Sequence, residues 1–190
     1  ALAESRSGQT FESLRWAAEG LISLDAGAEA EAVLKGLIED SAKNEAFLKQ
    51  AGAADRLMTA RVKLAAALRI QKKFDQAASV LDELAADPAN RRFLDPLIER
   101  GDLLDAQAEA GQGTWAASFA HWQDVAQRLS RARPKPASYF EAWYRAAVAL
   151  SKQNQKAKAR QTLTAVIRLN PGLGGDAMKR KYDDLLNALK

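Results

Sequence analysis

The sequence predicts an all-α protein, and three observations support this prediction. Of its 190 residues, 40 are Ala and 24 are Leu, whereas only 16 are Val, Ile or Thr. Ala and Leu favour helices, and β-branched residues favour strands. Apolar residues also recur at helical spacing along almost the whole chain. We therefore expect helices joined by short connections.

Apolar stripes and end signals place five helices in the first part of the chain. The first spans about 10–24, with Thr10 as its expected N-cap and Ser13 at the position where Glu or Gln would complete the cap best. Residues 41–52 fit either an extension of the second helix or a short extra turn. Pro88 ends the fourth helix, because proline disfavours the helical conformation in the residue before it. The second to fifth helices span about 28–40, 53–71, 75–86 and 94–110.

Four more helices complete the chain. Glycine or proline interrupts the pattern at 111–113, 133–136 and 171–175, and Asp176 is the expected N-cap of the last helix. Helices joined by short connections pack antiparallel as neighbours, so the sequence predicts a succession of helical hairpins. These helices span about 114–131, 138–152, 155–169 and 176–189.

The last hairpin carries a recognisable spacing of residue types. Trp143 is followed by the small residue Ala147, by Ala159 after 16 residues and by Pro171 after 28 residues. Large apolar residues stand between these positions, at Leu150, Leu163 and Val166. This pattern resembles the tetratricopeptide repeat (TPR) family, with Ala147 and Leu150 in place of the usual Gly and Tyr. Both small residues should be buried where two helices approach closely.

Other segments match the same pattern less completely. The hairpin at 53–88 lacks the aromatic residue, because Arg61 stands there, but it supplies Leu64, Ala65, Leu68, Ala77, Leu81, Leu84 and Pro88. The sixth helix matches the second half of a repeat through Trp115, Ser118, Trp122 and Val125, and the preceding half is displaced by about five residues. Two registers fit the first hairpin. They are Trp16–Gly20–Ala32 and Ala30–Leu34–Leu37.

The resemblance implies a TPR-like α-α superhelix that forms a single domain over 1–190. It would contain four hairpins, at about 10–40, 53–88, 94–131 and 138–171, and a capping helix at 176–189. The last helix suits a cap because one of its faces is an apolar stripe, formed by Met178, Tyr182, Leu185, Leu186 and Leu189. A generic helical bundle is the alternative.

The fifth helix carries acidic residues that share one face. In the TPR resemblance the first helix of each hairpin lines a concave groove, so these carboxylates would point into it. They are Asp95, Glu99, Asp102, Asp105 and Glu109. The corresponding positions of the third helix are Thr59, Val62, Lys63, Ala66 and Arg69, and those of the seventh are Glu141, Tyr144, Arg145, Val148 and Lys152.

These positions predict a non-enzymatic scaffold that binds a protein or an extended peptide of basic or mixed charge. A cationic partner would relieve the repulsion between the carboxylates, although basic neighbours in the groove could also do so. A solvated acidic face is the alternative. Because the groove candidates contain no Asn, the Lys, Arg and Asn set with which some TPR proteins bind a C-terminal carboxylate is not expected. The predicted binding residues are Asp95, Glu99, Asp102, Asp105, Glu109, Lys63, Arg69, Tyr144, Arg145 and Lys152.

Charge distribution leaves two other functions open. Residues 1–127 have a net charge of −6 and residues 128–190 a net charge of +10, so the basic region at 128–160 could bind an anionic partner. Nucleic acid is not the favoured partner, because Trp143 and Tyr182 look committed to packing rather than to base stacking. The chain could also be a structural or homo-oligomerising repeat segment of a larger protein.

Several chemistries have no support in the sequence. The chain has no Cys, which excludes disulfides, Cys-ligated metals and a Cys nucleophile. His121 is the single His, and the glycine-rich segment 171–175 lacks the Lys-Ser/Thr of a P-loop. We therefore expect no enzyme, cofactor or metal site, and no apolar run approaches the roughly 20 residues that span a bilayer. The start at Ala1-Leu2-Ala3, without Met, favours an exported or periplasmic protein.

Overall fold

A computed structural model describes residues 9–190, and these residues form helices and no strand. The all-α prediction is confirmed for this part of the chain, whereas the Ala1-Leu2-Ala3 start lies outside it. The ten α-helices are α1 (Phe11–Ser23), α2 (Gly27–Lys43), α3 (Glu45–Leu48), α4 (Ala53–Ile70), α5 (Phe74–Ala86), α6 (Asp95–Glu109), α7 (Trp115–Leu129), α8 (Ala137–Lys152), α9 (Lys156–Leu169) and α10 (Asp176–Ala188).

Three local details differ from the sequence prediction. The ambiguous segment 41–52 combines both alternatives, because α2 extends to Lys43 and α3 follows as a separate turn capped by Asn44. A 3₁₀ helix that was not predicted spans Pro88–Arg92. Asp176 is the first residue of α10 rather than its N-cap, which is Gly175. At α1 the predicted cap forms, and Ser13 completes a capping box with Thr10.

The chain divides into two compact units, one ending at Leu103 and the other comprising Leu104–Lys190. Helix α6 therefore contributes residues to both. In the first unit α2 packs between α1 and α4, and α4 also packs on α5. In the second unit α8 packs on α7 and α9, and α10 contacts α8 and α9.

The first hairpin adopts the second of its two predicted registers. Ala30 and Leu34 are fully buried and Leu37 nearly so, whereas Ala32 is exposed. Trp16, which the other register treats as the packing aromatic, is 73% exposed. The small residue on the buried side of α1 is Ala18, which is fully buried.

The second unit has a continuous apolar core. Ala147 and Ala159 are fully buried in it, as predicted. The predicted stripe of α10 also packs there, with Tyr182 fully buried and its hydroxyl donating to the carbonyl of Phe140 at 2.8 Å. Burial raises the pKa of Tyr182 above its ordinary value. The core residues are Tyr139, Phe140, Ala147, Leu150, Ala159, Leu163, Val166, Leu173, Tyr182 and Leu189.

The hairpins α4–α5 and α8–α9 match residue by residue with an offset of 82. Their buried positions coincide as Ala65 with Ala147, Leu68 with Leu150, Ala77 with Ala159, Leu81 with Leu163 and Leu84 with Val166. An offset of 47 aligns α1–α2 with α4–α5 in the same way, because it pairs Ala18 with Ala65, Leu21 with Leu68, Ala30 with Ala77, Leu34 with Leu81 and Leu37 with Leu84.

The same turn closes four pairs of helices. In each turn one residue has a positive φ, and the backbone N–H of the next residue donates to the carbonyl five residues before it. This is the hydrogen bond of a Schellman motif, which satisfies carbonyls left open at a helix C-terminus. The residues with positive φ are Asp25, Lys72, Gly111 and Asn154.

A buried carboxylate joins α2 to the turn between α4 and α5. Glu31 is 8% exposed and receives hydrogen bonds from Gln71 and Lys73 at 2.8 Å each, while Lys35 lies 2.7 Å away. Hydrogen bonds from Lys35 and Lys73 lower the pKa of Glu31 to about 2. The Gln71 amide also donates to the carbonyls of Gly27 and Ala67.

Candidate functional site

The first unit contains a groove between three helices, which we call the α1–α4–α6 groove. It encloses about 480 Å³. Apolar side chains from each helix contribute to it, and charged side chains surround them. The lining residues are Glu19, Ile22 and Ser23 of α1, Thr59, Val62, Lys63, Ala66 and Arg69 of α4, and Asp95, Ile98, Glu99 and Asp102 of α6.

An ion pair between α4 and α6 lies on one wall of the groove. The Arg69 Nε donates to Glu99 Oε1 at 2.7 Å, and a second guanidinium nitrogen donates to Oε2 at 3.4 Å. Glu99 is only 7% exposed. Burial raises the pKa of Glu99, and the hydrogen bond from Arg69 opposes that rise. The pair therefore places a guanidinium beside a carboxylate where burial disfavours the charged form.

A second ion pair joins α4 to α1. The Lys63 ammonium lies 3.6 Å from Glu19 Oε1, which also receives a hydrogen bond from Arg15 at 2.6 Å. Both basic residues of the groove lining are thus paired with carboxylates of the same lining. Since the lining has four acidic and two basic residues, it keeps a net charge of −2.

The carboxylates of Asp95 and Asp102 lie on the α6 side of the groove. Asp95 is exposed in the first turn of α6, and Asp102 is half-buried two turns further on. Seven residues of helix correspond to about 10 Å along the axis. Ile98 of α6 lies between them in the sequence and adds an apolar side chain to the lining, as Val62 of α4 does.

Five of the ten predicted binding residues meet in this groove. They are Lys63, Arg69, Asp95, Glu99 and Asp102. The other five belong to the second unit, which we describe separately.

Asp105, which the sequence analysis placed in the concave groove, is hydrogen-bonded within the second unit. Its carboxylate accepts hydrogen bonds from the Ser118 hydroxyl and from the Trp122 indole, the latter at 3.2 Å to each oxygen. The Arg145 guanidinium donates to it at 3.3 Å and also to Glu141 at 3.1 Å. These contacts tie α6 to α7 and α8, so Asp105 has a structural role in the second unit.

The remaining predicted residues also contact their own chain. Lys152 pairs with Glu109 at 3.1 Å and lies over the Trp115 ring at 5.4 Å. Tyr144 has the Lys181 ammonium 5.6 Å from its ring centre and the Tyr182 ring 6.0 Å away. The basic neighbours thus neutralise much of the acidic stripe internally, which the sequence analysis had allowed.

Sequence reasoning missed the α1 side of the groove, namely Glu19, Ile22 and Ser23. The signal that could have found them is the sequence alignment at an offset of 47, in which Ile22 occupies the position equivalent to Arg69. That alignment requires Ala18, not Gly20, as the small residue of the first repeat.

No group of three or more His, Asp or Glu side chains among residues 9–190 is placed to hold a metal ion. His121 packs against the edge of Trp122, with ring centres 5.9 Å apart. No described helix combines the length and apolar character needed to cross a membrane.

No protein-family model, curated protein or solved structure matches the chain.

Proposed function

We propose that the chain is a non-catalytic TPR-like scaffold that binds an extended peptide of basic or mixed charge in the α1–α4–α6 groove. The observation that carries this proposal is the charge of the groove. Its two cations are paired with Glu19 and Glu99, and the lining as a whole keeps a formal net charge of −2, with Asp95 exposed in the first turn of α6. Apolar side chains in the same lining, such as Val62 and Ile98, suit a peptide that alternates basic and apolar side chains.

The repeated hairpins support the TPR-like part of the proposal. Two hairpins place equivalent residues in their cores at an offset of 82, and four helix pairs share one turn geometry. Repeats of this kind present their first helices on a common face. In the first unit the helices that line the groove are α1, α4 and α6, each of which precedes one of these turns.

An array of ten-residue peptides with randomised positions tests the proposal directly. We expect bound peptides to be enriched in Lys and Arg next to apolar residues. Asp95→Lys should abolish this enrichment, because it reverses the charge at the groove. Asp75→Lys is the matched control, since Asp75 is also an exposed Asp in the first turn of a helix but does not line the groove. Equal binding by both variants, or no enrichment with the native chain, would refute the proposal.

A second candidate function is the binding of an anionic partner to α9. No acidic residue occurs between Glu141 and Asp176. Four cations of α9 are exposed, and none forms an ion pair with the described part of the chain. They are Lys156, Lys158, Arg160 and Arg168. Retention on immobilised heparin that falls steeply with salt, and that Lys156→Glu with Arg160→Glu removes, would support this function.

A further inference from the structure

The second unit contains a pocket that we call the α7–α8–α9 pocket. Residues from the end of α7, the connection to α8, α8 itself and the end of α9 line it. Its volume is about 480 Å³, which is within the size range of small-molecule sites. The sequence has no acidic residue between Asp124 and Glu141, and none of the described residues that line the pocket is acidic. The lining residues are Ser130, Arg133, Lys135, Tyr139, Leu169 and Asn170.

Backbone carbonyls that follow α7 position the two cations of the pocket. One terminal nitrogen of Arg133, Nη1, donates to the carbonyls of Ser130 and Ala132 at 3.0 Å each. The Lys135 ammonium donates to the same Ser130 carbonyl. Basic side chains often bind the open carbonyls at a helix C-terminus in this way. A carbonyl carries no net charge, so these contacts orient both cations without neutralising them.

Both cations keep hydrogen-bond donors that no described residue uses. A guanidinium carries five N–H groups and an ammonium three. Arg133 donates only through Nη1, so its Nε and Nη2 groups have no partner within residues 9–190, and neither Arg133 nor Lys135 forms an ion pair there. Desolvation and then the charge of Arg133 lower the pKa of Lys135. The pocket therefore holds two positive charges that an anion would stabilise.

A buried tyrosine adds a third donor to the lining. Tyr139 is only 7% exposed, and the Lys135 ammonium lies 5.2 Å from its ring centre. The other buried tyrosine of this core, Tyr182, donates its hydroxyl to Phe140. The Tyr139 hydroxyl forms no hydrogen bond with residues 9–190, although a buried tyrosine hydroxyl usually has a partner. This donor is available to a molecule in the pocket that Tyr139 lines.

We propose that the α7–α8–α9 pocket binds the phosphate group of a small phosphate monoester. Arg133 and Lys135 together match the charge of such a group, which is about −1.5 to −2 at pH 7. The planar guanidinium can donate to two phosphate oxygens at once. A carboxylate has a single charge and one oxygen fewer, so it would leave more of the donors unused.

The shape and surface of the pocket favour a small molecule over a nucleic-acid strand. Leu169 lines the pocket and is 72% exposed, so an apolar group beside the phosphate would cover it. A single strand instead binds along an extended basic groove with exposed aromatic side chains. Tyr139 is too deeply buried to offer such a stacking surface. The site is independent of the peptide-binding proposal, because all of its residues belong to the second unit.

Calorimetric titration with phenyl phosphate at pH 7 tests the role of the cations. We expect the double variant Arg133→Gln with Lys135→Gln to bind at least about tenfold more weakly than the native chain. Lys158→Gln with Arg160→Gln is the matched control, because it removes two exposed, unpaired cations of the same unit that do not line the pocket. No binding by the native chain, or an equal loss in both double variants, would overturn the proposal.

Tyr139→Phe separates ligand binding from folding. The hydroxyl has no hydrogen bond within the described chain to lose, so the thermal melt should match that of the native chain. The affinity for phenyl phosphate should fall about tenfold, because a hydrogen bond to a charged group is lost. Tyr144→Phe should keep the native affinity, since Tyr144 is a half-buried tyrosine of the same helix outside the pocket. Unchanged affinity of Tyr139→Phe would contradict the site.

Two further probes test the class of ligand. Benzoate keeps the ring of phenyl phosphate and replaces the phosphate by a carboxylate, so we expect it to bind more weakly. A single-stranded oligothymidine carries many phosphates but no monoester dianion along its length, and it should not compete with phenyl phosphate for the native chain. Equal affinity for benzoate, or binding of the oligonucleotide alone, would refute a site for a small phosphate monoester.

Discussion

Gln71 and Gln153 form the same pair of hydrogen bonds in two different hairpins. Each directly follows the last residue of its helix and donates its side-chain amide to the carbonyl four residues earlier, at 3.1 and 3.0 Å. Each also donates to the carbonyl of the first residue of a neighbouring helix, which is Gly27 of α2 for Gln71 and Trp115 of α7 for Gln153. A single amide thus caps one helix and ties it to its neighbour.

This relationship predicts the effect of Gln153→Glu. The carboxylate would face two carbonyl oxygens and donate to neither, so we expect the free energy of unfolding at pH 7 to fall by about 1–2 kcal/mol. Below the pKa of the new carboxyl group the protonated acid can donate again, so the loss should shrink as the pH falls. Urea denaturation at pH 7 and pH 4 measures both effects. Gln161→Glu, at an exposed position of α9, should change little at either pH.

The buried carboxylate of Glu31 predicts a pH-dependent loss. Glu31→Gln should lower the free energy of unfolding at pH 7 by about 1–3 kcal/mol, because it leaves Lys35 and Lys73 without their anion. The folded-state pKa is about 2, below the ordinary value of about 4.3. The native stabilisation is therefore complete above about pH 5 and is lost as the pH falls through about 2.

Denaturation curves of both proteins at several pH values measure this difference. Glu29→Gln provides the control, since Glu29 is an exposed glutamate of the same helix. A difference between Glu31→Gln and the native chain that does not narrow between pH 5 and pH 2 would contradict the proposed role of the carboxylate.

The turn at Lys72 predicts a stabilising substitution. Its φ is +59°, a left-handed conformation that costs a residue with a Cβ about 1 kcal/mol relative to glycine. Lys72→Gly should therefore raise the free energy of unfolding by about 0.5–1 kcal/mol. Lys72→Ala isolates the backbone effect, because it removes the side chain and keeps the strain. If both variants are equally stable, the turn is not strained as the φ angle indicates.

The packing between α8 and α9 predicts the cost of a larger residue. Ala159 is fully buried, so Ala159→Leu should lower the free energy of unfolding by about 1–3 kcal/mol. Ala157→Leu makes the same chemical change at an exposed position of the same helix and should be nearly neutral. Thermal melts of the two variants provide the comparison, and equal melting temperatures would contradict close packing at Ala159.

The Arg69–Glu99 pair predicts that replacement by Lys destabilises the fold at Glu99 but not at the neighbouring Asp95. Glu99→Lys places a cation against Arg69 in a buried position and should cost about 2–4 kcal/mol of stability. Asp95→Lys, one turn away but exposed, should be tolerated. The sequence analysis treated these carboxylates as equivalent sources of repulsion. If Glu99→Lys is as stable as the native chain in urea denaturation, the Arg69–Glu99 pair does not contribute as described here.

Local signals explain why most helix positions could be predicted from the sequence. Thr10 and Thr114 each accept a hydrogen bond from a backbone N–H in the first turn of their helices, and Pro88 ends α5. These effects depend on residues within a few positions of one another. The first repeat was ambiguous because helical periodicity allows two registers, and only tertiary burial distinguishes Ala18 from Gly20 as the packing residue.

The candidate site was harder to predict because its contacts join distant residues. Arg69 and Glu99 are 30 positions apart, and Arg145 and Asp105 are 40 apart. The sequence indicated that all four lie on first helices of hairpins. It could not indicate which carboxylate each guanidinium reaches, because that depends on the rotation of each helix and on side-chain length.

The hydrogen bond from Tyr182 to Phe140 has a consequence for the order of folding. The four Schellman turns join residues only five positions apart, so their hairpins can close while most of the chain is still unfolded. The hydrogen bond of the Tyr182 hydroxyl instead joins it to the carbonyl of Phe140, 42 positions earlier in the chain. During synthesis α7 and α9 can pack on α8 before α10 is available, but the part of α8 around Phe140 that Tyr182 covers stays exposed to water until α10 leaves the ribosome. During this interval the nascent chain exposes apolar surface that a chaperone can bind.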